Sequence, residues 1–191
     1  GPGYPNLEDG FPVTLSANVL SDPALVDLDG NGDLEILFTD WDNNIQAYNH
    51  DGSTLDGWPV QCPVALSSSP VAIGDLNGDG QMSVVVGTSD GQVFAYDPSG
   101  QLQFGFPAQS NTAEPVFVSI GALGGPYPRT IVCVGGDRLD YFNYRGVAPL
   151  DTHGWILTGQ TISHPAAIGD INGDGVSEVI VGAETRVMAV N

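Results

Sequence analysis

Three short stretches of the sequence place oxygen-bearing side chains at alternate positions of a glycine-rich turn. They read VDLDGNGD at 26–33, IGDLNGDG at 73–80 and IGDINGDG at 168–175, the first being a looser copy. Counted from the first aspartate, positions 1, 3 and 5 carry Asp or Asn, and position 6 is glycine, which tolerates the positive φ of such a turn. Converging oxygen ligands suit calcium rather than zinc. The sequence therefore predicts three calcium sites.

The predicted ligands occupy positions 1, 3, 5 and 7 of each stretch and also position 9 of the stretches at 26–33 and 168–175, with the backbone carbonyl of position 7 adding an oxygen. They are Asp27, Asp29, Asn31, Asp33 and Glu35; Asp75, Asn77, Asp79 and Gln81; and Asp170, Asn172, Asp174, Val176 and Glu178. Ser83 replaces the acid at position 9 of the second stretch, which predicts a weaker site or one completed by water. Position 12 falls within an apolar run each time, which excludes an EF-hand, since that motif needs a glutamate there.

The stretches recur with a period of about 48 residues. Asp27 and Asp75 are one period apart, and Asp170 follows Asp75 after about two periods. The missing copy falls near residue 122, where the chain reads IGALGGPYP without acids, and we predict no metal there. Gly-aromatic elements at 10–12, 57–59, 105–107 and 154–155 keep the same spacing, and their Trp58 and Trp155 are expected to pack between repeats. The period indicates repeats of one structural unit.

Each repeat contains two β-rich runs after its acidic stretch. These are LEILF and IQAYN, SVVVG and QVFAY, TIVCVG and LDYFNY, and SEVIVG and RVMAV. Four short strands in about 48 residues, without a convincing amphipathic helix, are typical of a propeller blade. We predict an all-β propeller forming a single domain over residues 1–191. Its four four-stranded blades would span approximately 16–62, 63–110, 111–158, and 159–191 together with 7–15.

The segment 7–15 is predicted to supply the last strand of the fourth blade, which would close the ring and remove exposed strand edges. The chain would then form a four-bladed ring, or half of an eight-bladed ring completed by a homodimer.

The stretch AAIGDINGDGVSEVIVGA at 166–183 resembles an FG-GAP repeat, the blade unit of integrin α-subunit propellers and of bacterial VCBS-type proteins. The resemblance extends over essentially the whole chain. It implies that each acidic loop joins the first and second strands of a blade and binds calcium, usually in a structural role. Rings of this family more often have seven or eight blades, so four repeats are few.

Composition limits the partners of the chain. The net charge is −19, lysine is absent, and the arginines are Arg129, Arg138, Arg145 and Arg186. Such a surface repels nucleic acid and anionic membranes, and no stretch is long and apolar enough for a membrane-spanning helix. We expect a secreted or cell-surface protein. Cys62 and Cys133 could pair in an oxidising compartment or remain buried free thiols.

No nucleophile, metal-binding histidine pair or phosphate-binding loop is evident, so we predict a non-enzymatic recognition or adhesion module with an extracellular protein or carbohydrate ligand. A lectin-like carbohydrate module is one alternative. A glycan-active enzyme related to polysaccharide lyases is another, disfavoured by the scarcity of cations. The candidate ligand-binding residues are Trp41 in a polar turn and four residues expected around a channel mouth, namely Asp22, Ser69, Glu114 and His164.

Overall fold

The computed structural model describes residues 7–112, 114–148 and 155–191, with 155–158 as backbone only. All fourteen elements in this part of the chain are β-strands. None of the described residues forms a helix that could span a membrane.

The first two repeats each form a four-stranded antiparallel sheet, as predicted. The first sheet consists, in spatial order, of β1 (Ala24–Val26), β2 (Glu35–Thr39), β3 (Asn44–Tyr48) and β4 (Val60–Gln61). The second consists, in spatial order, of β5 (Ala72–Gly74), β6 (Ser83–Gly87), β7 (Gln92–Tyr96) and β8 (Ala108–Gln109). The registers correspond, since Ala24 pairs with Leu37 in the first sheet and Ala72 with Val85 in the second.

The last two repeats share one six-stranded sheet, whereas the sequence predicts two separate blades. Its strands are β9 (Phe117–Gly121), β10 (Thr130–Phe142), β11 (Trp155–Ile162), β12 (Ala167–Gly169), β13 (Glu178–Ala183) and β14 (Arg186–Val190). The order is β12-β13-β11-β10-β9, with β14 also paired to β13. Among the described residues, the strand pairing between the two halves is a single residue pair, Ile162 with Ala183, and the Ser119 hydroxyl also donates to the Ala166 carbonyl across the junction at 2.7 Å.

The runs TIVCVG and LDYFNY were predicted as two strands, and this prediction is wrong because β10 continues through both. In the second repeat the turn Thr88–Gly91 separates the corresponding strands, β6 and β7. The third repeat has a shorter connection at Gly136–Arg138, and the pairing of β10 with β11 shifts register between the same two residues. The shorter connection explains why the two runs remain one strand.

The N-terminal segment was expected to form a closing strand. Residues 7–15 instead form no strand, and among the described residues β14 has β13 as its partner. The segment lies against the first sheet: Gly10 has φ +86°, and a Cβ on it would overlap the carbonyl oxygen of Asp51. Close backbone contact with Asp51, which lies between β3 and β4, therefore holds the segment beside the first sheet.

The second sheet is covered on both faces. Successive side chains of β6 point to opposite faces of this sheet. Val84 and Val86 pack in the core with Leu37 of the first sheet, while Val85 packs in the core with Ile131 of the third. A run of consecutive apolar residues in a strand is explained by burial on both faces. The sheets therefore pack face to face in chain order.

Both cysteines are buried and free. Cys62 belongs to the core between the first and second sheets, and Cys133 to the core between the second and third. Burial raises the pKa of both thiols, most strongly at Cys133. The structure thus favours the interpretation of two buried thiols.

Candidate metal centre

The three acidic stretches occupy equivalent places in the fold. The loops connect β1 to β2, β5 to β6 and β12 to β13, and each position-1 aspartate follows directly after a short strand. The resemblance to FG-GAP repeats predicts this location, between the first and second strands of a unit. We call them loops 1, 2 and 4, after their repeats.

The position-1 carboxylate organises each loop in the same way. It accepts backbone N–H groups from the glycines at positions 4 and 6. The N···O distances are 2.8 and 3.1 Å at Asp27, 2.7 and 2.9 Å at Asp75, and 2.6 and 2.9 Å at Asp170. The position-6 glycines have φ between +88° and +98° with open space around a hypothetical Cβ. Glycine is therefore required for backbone conformation rather than for space.

These backbone donors also affect protonation. The N–H of Gly80 is the main cause that lowers the pKa of Asp75, and the N–H of Gly175 lowers that of Asp170 in the same way. Hydrogen bonds to the charged form of a carboxyl group favour ionisation. Both loops therefore present a carboxylate at neutral pH.

Loop 1 contains a buried carboxylate oxygen without a donor. Glu35 is 0% exposed, and its Oε2 accepts the Leu28 N–H at 2.6 Å. Its Oε1 has no hydrogen-bond partner among the described residues. Ligand oxygens of Asp27, Asp29 and Glu35 all lie within 4.8 Å of one another. A buried unpaired polar atom is unfavourable, and a hard cation would satisfy it, so these residues fit calcium.

Loop 4 has the same position-9 arrangement with one difference. Glu178 is buried, and its Oε2 accepts the Ile171 N–H at 2.9 Å. Its Oε1 accepts the side-chain amide of Asn172 at 3.0 Å, and that amide also donates to Asp174 at 3.0 Å. Asn172 thus bridges two carboxylates that the sequence predicts as ligands.

Loop 2 lacks the position-9 acid, as the sequence indicates. Ser83 is buried there, and its Oγ accepts the side-chain amide of Gln103 at 2.9 Å. Asp75 is half-buried in this loop, and Asn77 and Asp79 are exposed. In the third repeat the connection between β9 and β10 has Ala122, Gly124 and Pro126 at positions 1, 3 and 5, and the prediction that it binds no metal stays a prediction.

The predicted ligand-binding residues differ in exposure. Trp41 is 67% exposed in the turn between β2 and β3, and its backbone N–H donates to the Asn18 carbonyl. Ser69 is buried, and its hydroxyl accepts the Val118 N–H at 3.2 Å and donates to the Pro70 carbonyl. The equivalent Asp22, Glu114 and His164 are exposed. Ser69 thus takes part in packing between sheets, while the other residues are accessible to a ligand.

Trp58 confirms the prediction of packing between repeats. It is buried, and its indole N–H donates to the Pro98 carbonyl of the next repeat at 3.0 Å. Trp155 belongs to the residues described as backbone only.

Sequence reasoning missed the residues that surround loop 2. Phe104, Tyr144 and Arg145 lie on later connections, yet they border a cavity with Asn77 and Asp79. No local motif marks them, because chain segments tens of residues apart meet there.

Comparison with protein families supports the repeat assignment. Residues 27–86 match the family model described as FG-GAP-like repeat. This segment contains loops 1 and 2 with their strands, so the predicted resemblance is confirmed there. No curated protein matches the sequence.

Solved structures establish the fold class. BBS1N in complex with ARL6DN superposes with a TM-score of 0.60 at 13% identity, over 97% of this chain and 61% of that chain. A protein of unknown function from Bacteroides caccae gives 0.56 at 14% identity, over 95% and 59%. The computationally designed Ika4 protein gives 0.56 at 13% identity, over 93% and 94%.

These likenesses, together with the antiparallel sheets, show an all-β fold of the β-propeller type. The chain spans about three fifths of the length of BBS1N and of the Bacteroides caccae protein. The number of blades in the complete ring and the domain boundaries stay predictions.

Proposed function

We propose that this β-propeller module binds calcium in loops 1, 2 and 4 and serves as a non-enzymatic recognition or adhesion module on a secreted or cell-surface protein. The observation that carries the calcium proposal is the buried Oε1 of Glu35 beside Asp27 and Asp29, which no described residue hydrogen-bonds. Calcium would supply positive charge where several acidic side chains converge.

The chain's own residues explain why the effect would be structural. Asp27 starts loop 1 directly after β1, and Glu35 is the first residue of β2. Ligands on both sides of the loop would join these two strands through one ion. Extracellular calcium-binding modules commonly have Kd values of about 10⁻⁴ to 10⁻³ M, which agrees with the proposed location outside the cell.

Thermal unfolding tests the calcium proposal. A ligand that binds the native state raises its stability by mass action. We expect the melting temperature to rise in millimolar calcium relative to EDTA, and to rise less in equal magnesium, because magnesium demands a smaller octahedral site. Equal melting temperatures in calcium and in EDTA would refute the proposal.

Carbohydrate recognition is a second candidate function, favoured by Trp41. Its ring is largely exposed beside Asp42 and Asn43, and an exposed indole flanked by polar groups suits stacking on a sugar ring. A glycan array in millimolar calcium, repeated with Trp41→Ala, tests this candidate. Binding lost in the variant would support it, whereas a blank array on folded protein would favour a protein ligand.

A further inference from the structure

A cavity of about 310 Å³ lies beside loop 2. Leu76, Asn77 and Asp79 of the loop line one part, and Ser83 and Gln103 line another. Phe104, Tyr144 and Arg145 also belong to the wall. This volume lies at the small end of the range for ligand sites, so the cavity suits a small group rather than a large ligand.

The cavity adjoins the place where loop 2 lacks a carboxylate. In loops 1 and 4, the position-9 glutamate accepts the N–H of position 2, at Leu28 and Ile171 respectively. The equivalent residue of loop 2 is Leu76, which is 1% exposed, and within the described part of the chain no hydrogen bond from its N–H is found. Ser83 is too short to supply one, and both residues line the cavity. The protein thus leaves a buried donor where its other loops place a carboxylate oxygen.

Arg145 supplies positive charge at the same cavity. Its guanidinium lies 5.1 Å from the ring centroid of Tyr144, and its backbone N–H donates to the Asn143 side chain at 2.8 Å. No carboxylate forms an ion pair with Arg145 among the residues that the structure describes. In a chain of net charge −19, a guanidinium held this way is available to an external anion.

Two acidic side chains also line this cavity and bear on the choice of ligand. Asp97 Oδ1 already accepts the N–H and hydroxyl of Ser99 and the N–H of Gln101, at 2.7–2.9 Å. Asp79 belongs to the proposed calcium set of loop 2, so the ion would offset its charge. A single carboxylate is therefore acceptable, whereas a polyanionic chain would be repelled by the protein as a whole.

An exposed aromatic ring, that of Phe104, also lines the cavity. Phe104 is 90% exposed although it is fully apolar. Aromatic faces provide large apolar contact area for a ring-shaped ligand.

We propose that the cavity binds the carboxylate of a terminal sugar acid, which takes the place of the missing position-9 glutamate. One carboxylate oxygen accepts the Leu76 N–H and the group pairs with Arg145, while the sugar ring packs on Phe104. The second oxygen is available to calcium in loop 2, and this calcium contact rests on the proposed function.

An NMR titration of ¹⁵N-labelled protein in 10 mM calcium (about ten to a hundred times the Kd of such modules) tests the proposal. Methyl β-glucuronide is the probe, and methyl β-glucoside is the matched ligand without the carboxylate. We expect a saturable downfield shift of the Leu76 amide with the glucuronide and at least about tenfold weaker binding of the glucoside, since a charge-assisted hydrogen bond is lost.

Three variants and one control variant assign the contacts. Arg145→Gln should weaken glucuronide binding about tenfold, whereas Arg186→Gln, the same change outside the cavity, should not. Phe104→Ala should weaken the glucuronide and the glucoside by the same factor. Ser83→Glu should abolish glucuronide binding, because the protein then supplies its own carboxylate. Unchanged glucuronide binding in both Arg145→Gln and Ser83→Glu would overturn the proposed site.

The same spectra separate failure of this proposal from failure of the calcium function. Calcium-dependent shifts of the Gly32 and Gly175 amides report on loops 1 and 4. If these amides respond to calcium and the glucuronide moves no resonance of the cavity, the sugar-acid site is wrong and the calcium function stands. A Leu76 shift with the glucuronide but no calcium response would support the site without its metal. Binding of N-acetylaspartate amide in place of the glucuronide would overturn the sugar assignment.

Discussion

Substituting Glu35→Gln should separate two roles of this buried side chain in loop 1, namely acceptor for the Leu28 N–H and anionic calcium ligand. The change keeps the shape of the side chain and the acceptor for Leu28 N–H, which Oε2 now provides at 2.6 Å. It replaces the unpaired Oε1 with an amide nitrogen beside Asp27 and Asp29, whose oxygens can accept from it. Calcium, however, loses an anionic ligand. The variant should therefore be at least as stable as the natural protein in EDTA. Its melting temperature should rise less when calcium is added.

The expected size of the effect follows from linkage. With Kd between about 10⁻⁴ and 10⁻³ M, 10 mM calcium stabilises one site by roughly 1.4–2.7 kcal/mol. For a chain of this size, that corresponds to roughly 3–11 °C in melting temperature. If the three sites have similar affinities, Glu35→Gln should remove about one third of the total calcium-induced increase.

Differential scanning calorimetry in EDTA and in 10 mM calcium measures both effects. Glu8→Gln is the matched control, because Glu8 is exposed and lies outside the acidic loops. The control should retain the full calcium-induced increase. An equal increase in Glu35→Gln and in the natural protein would refute the assignment of Glu35 as a ligand.

Three further predictions concern the fold around the loops. Gly105→Ala should lower the free energy of unfolding severely, because the added Cβ would overlap the Arg145 carbonyl of the neighbouring repeat. Gly80→Ala has open space around its Cβ and should lower it by only about 1–2 kcal/mol, from backbone strain. Urea unfolding of both variants measures the difference. In the same assay, Trp58→Ala should lower the free energy of unfolding by about 3–5 kcal/mol, because Trp58 is buried. Trp41→Ala should lower it by less than about 0.5 kcal/mol, because Trp41 is exposed. Equal losses in the two variants would contradict the packing of Trp58 between repeats. Backbone donors lower the pKa of Asp170, so its stabilising contribution is present above pH 3.8 and is lost as the pH falls through the lowered value. Melting temperatures in EDTA between pH 6 and 2 should therefore fall at the acid end, and less steeply in Asp170→Asn.

The sequence predicts the loops and most strands correctly because both depend on local chemistry. The glycine at position 6 adopts the positive φ that the turn requires, and the aspartate at position 1 accepts donors three to five residues away. Strands such as Ser83–Gly87 follow from β-branched residues between turn residues. These features need no knowledge of the rest of the chain.

Features that depend on distant segments could not be predicted in this way. The strand pairing that joins the third and fourth repeats is the pair Ile162 with Ala183, which no local pattern indicates. The cavity beside loop 2 combines Ser83, the first residue of β6, with Gln103 and Arg145. Gln103 and Arg145 lie on two different connections further along the chain. Spacing suggested that Ser69 faces a channel, yet its hydroxyl accepts the Val118 N–H from the next repeat. Tertiary packing decides all three.

Anomalous X-ray diffraction from crystals grown in calcium tests the central claim most directly. The account predicts an anomalous peak among Asp27, Asp29 and Glu35, a second in loop 4, and a third in loop 2 at Asp75, Asn77 and Asp79. A map from crystals in saturating calcium without a peak beside Glu35 would contradict the account.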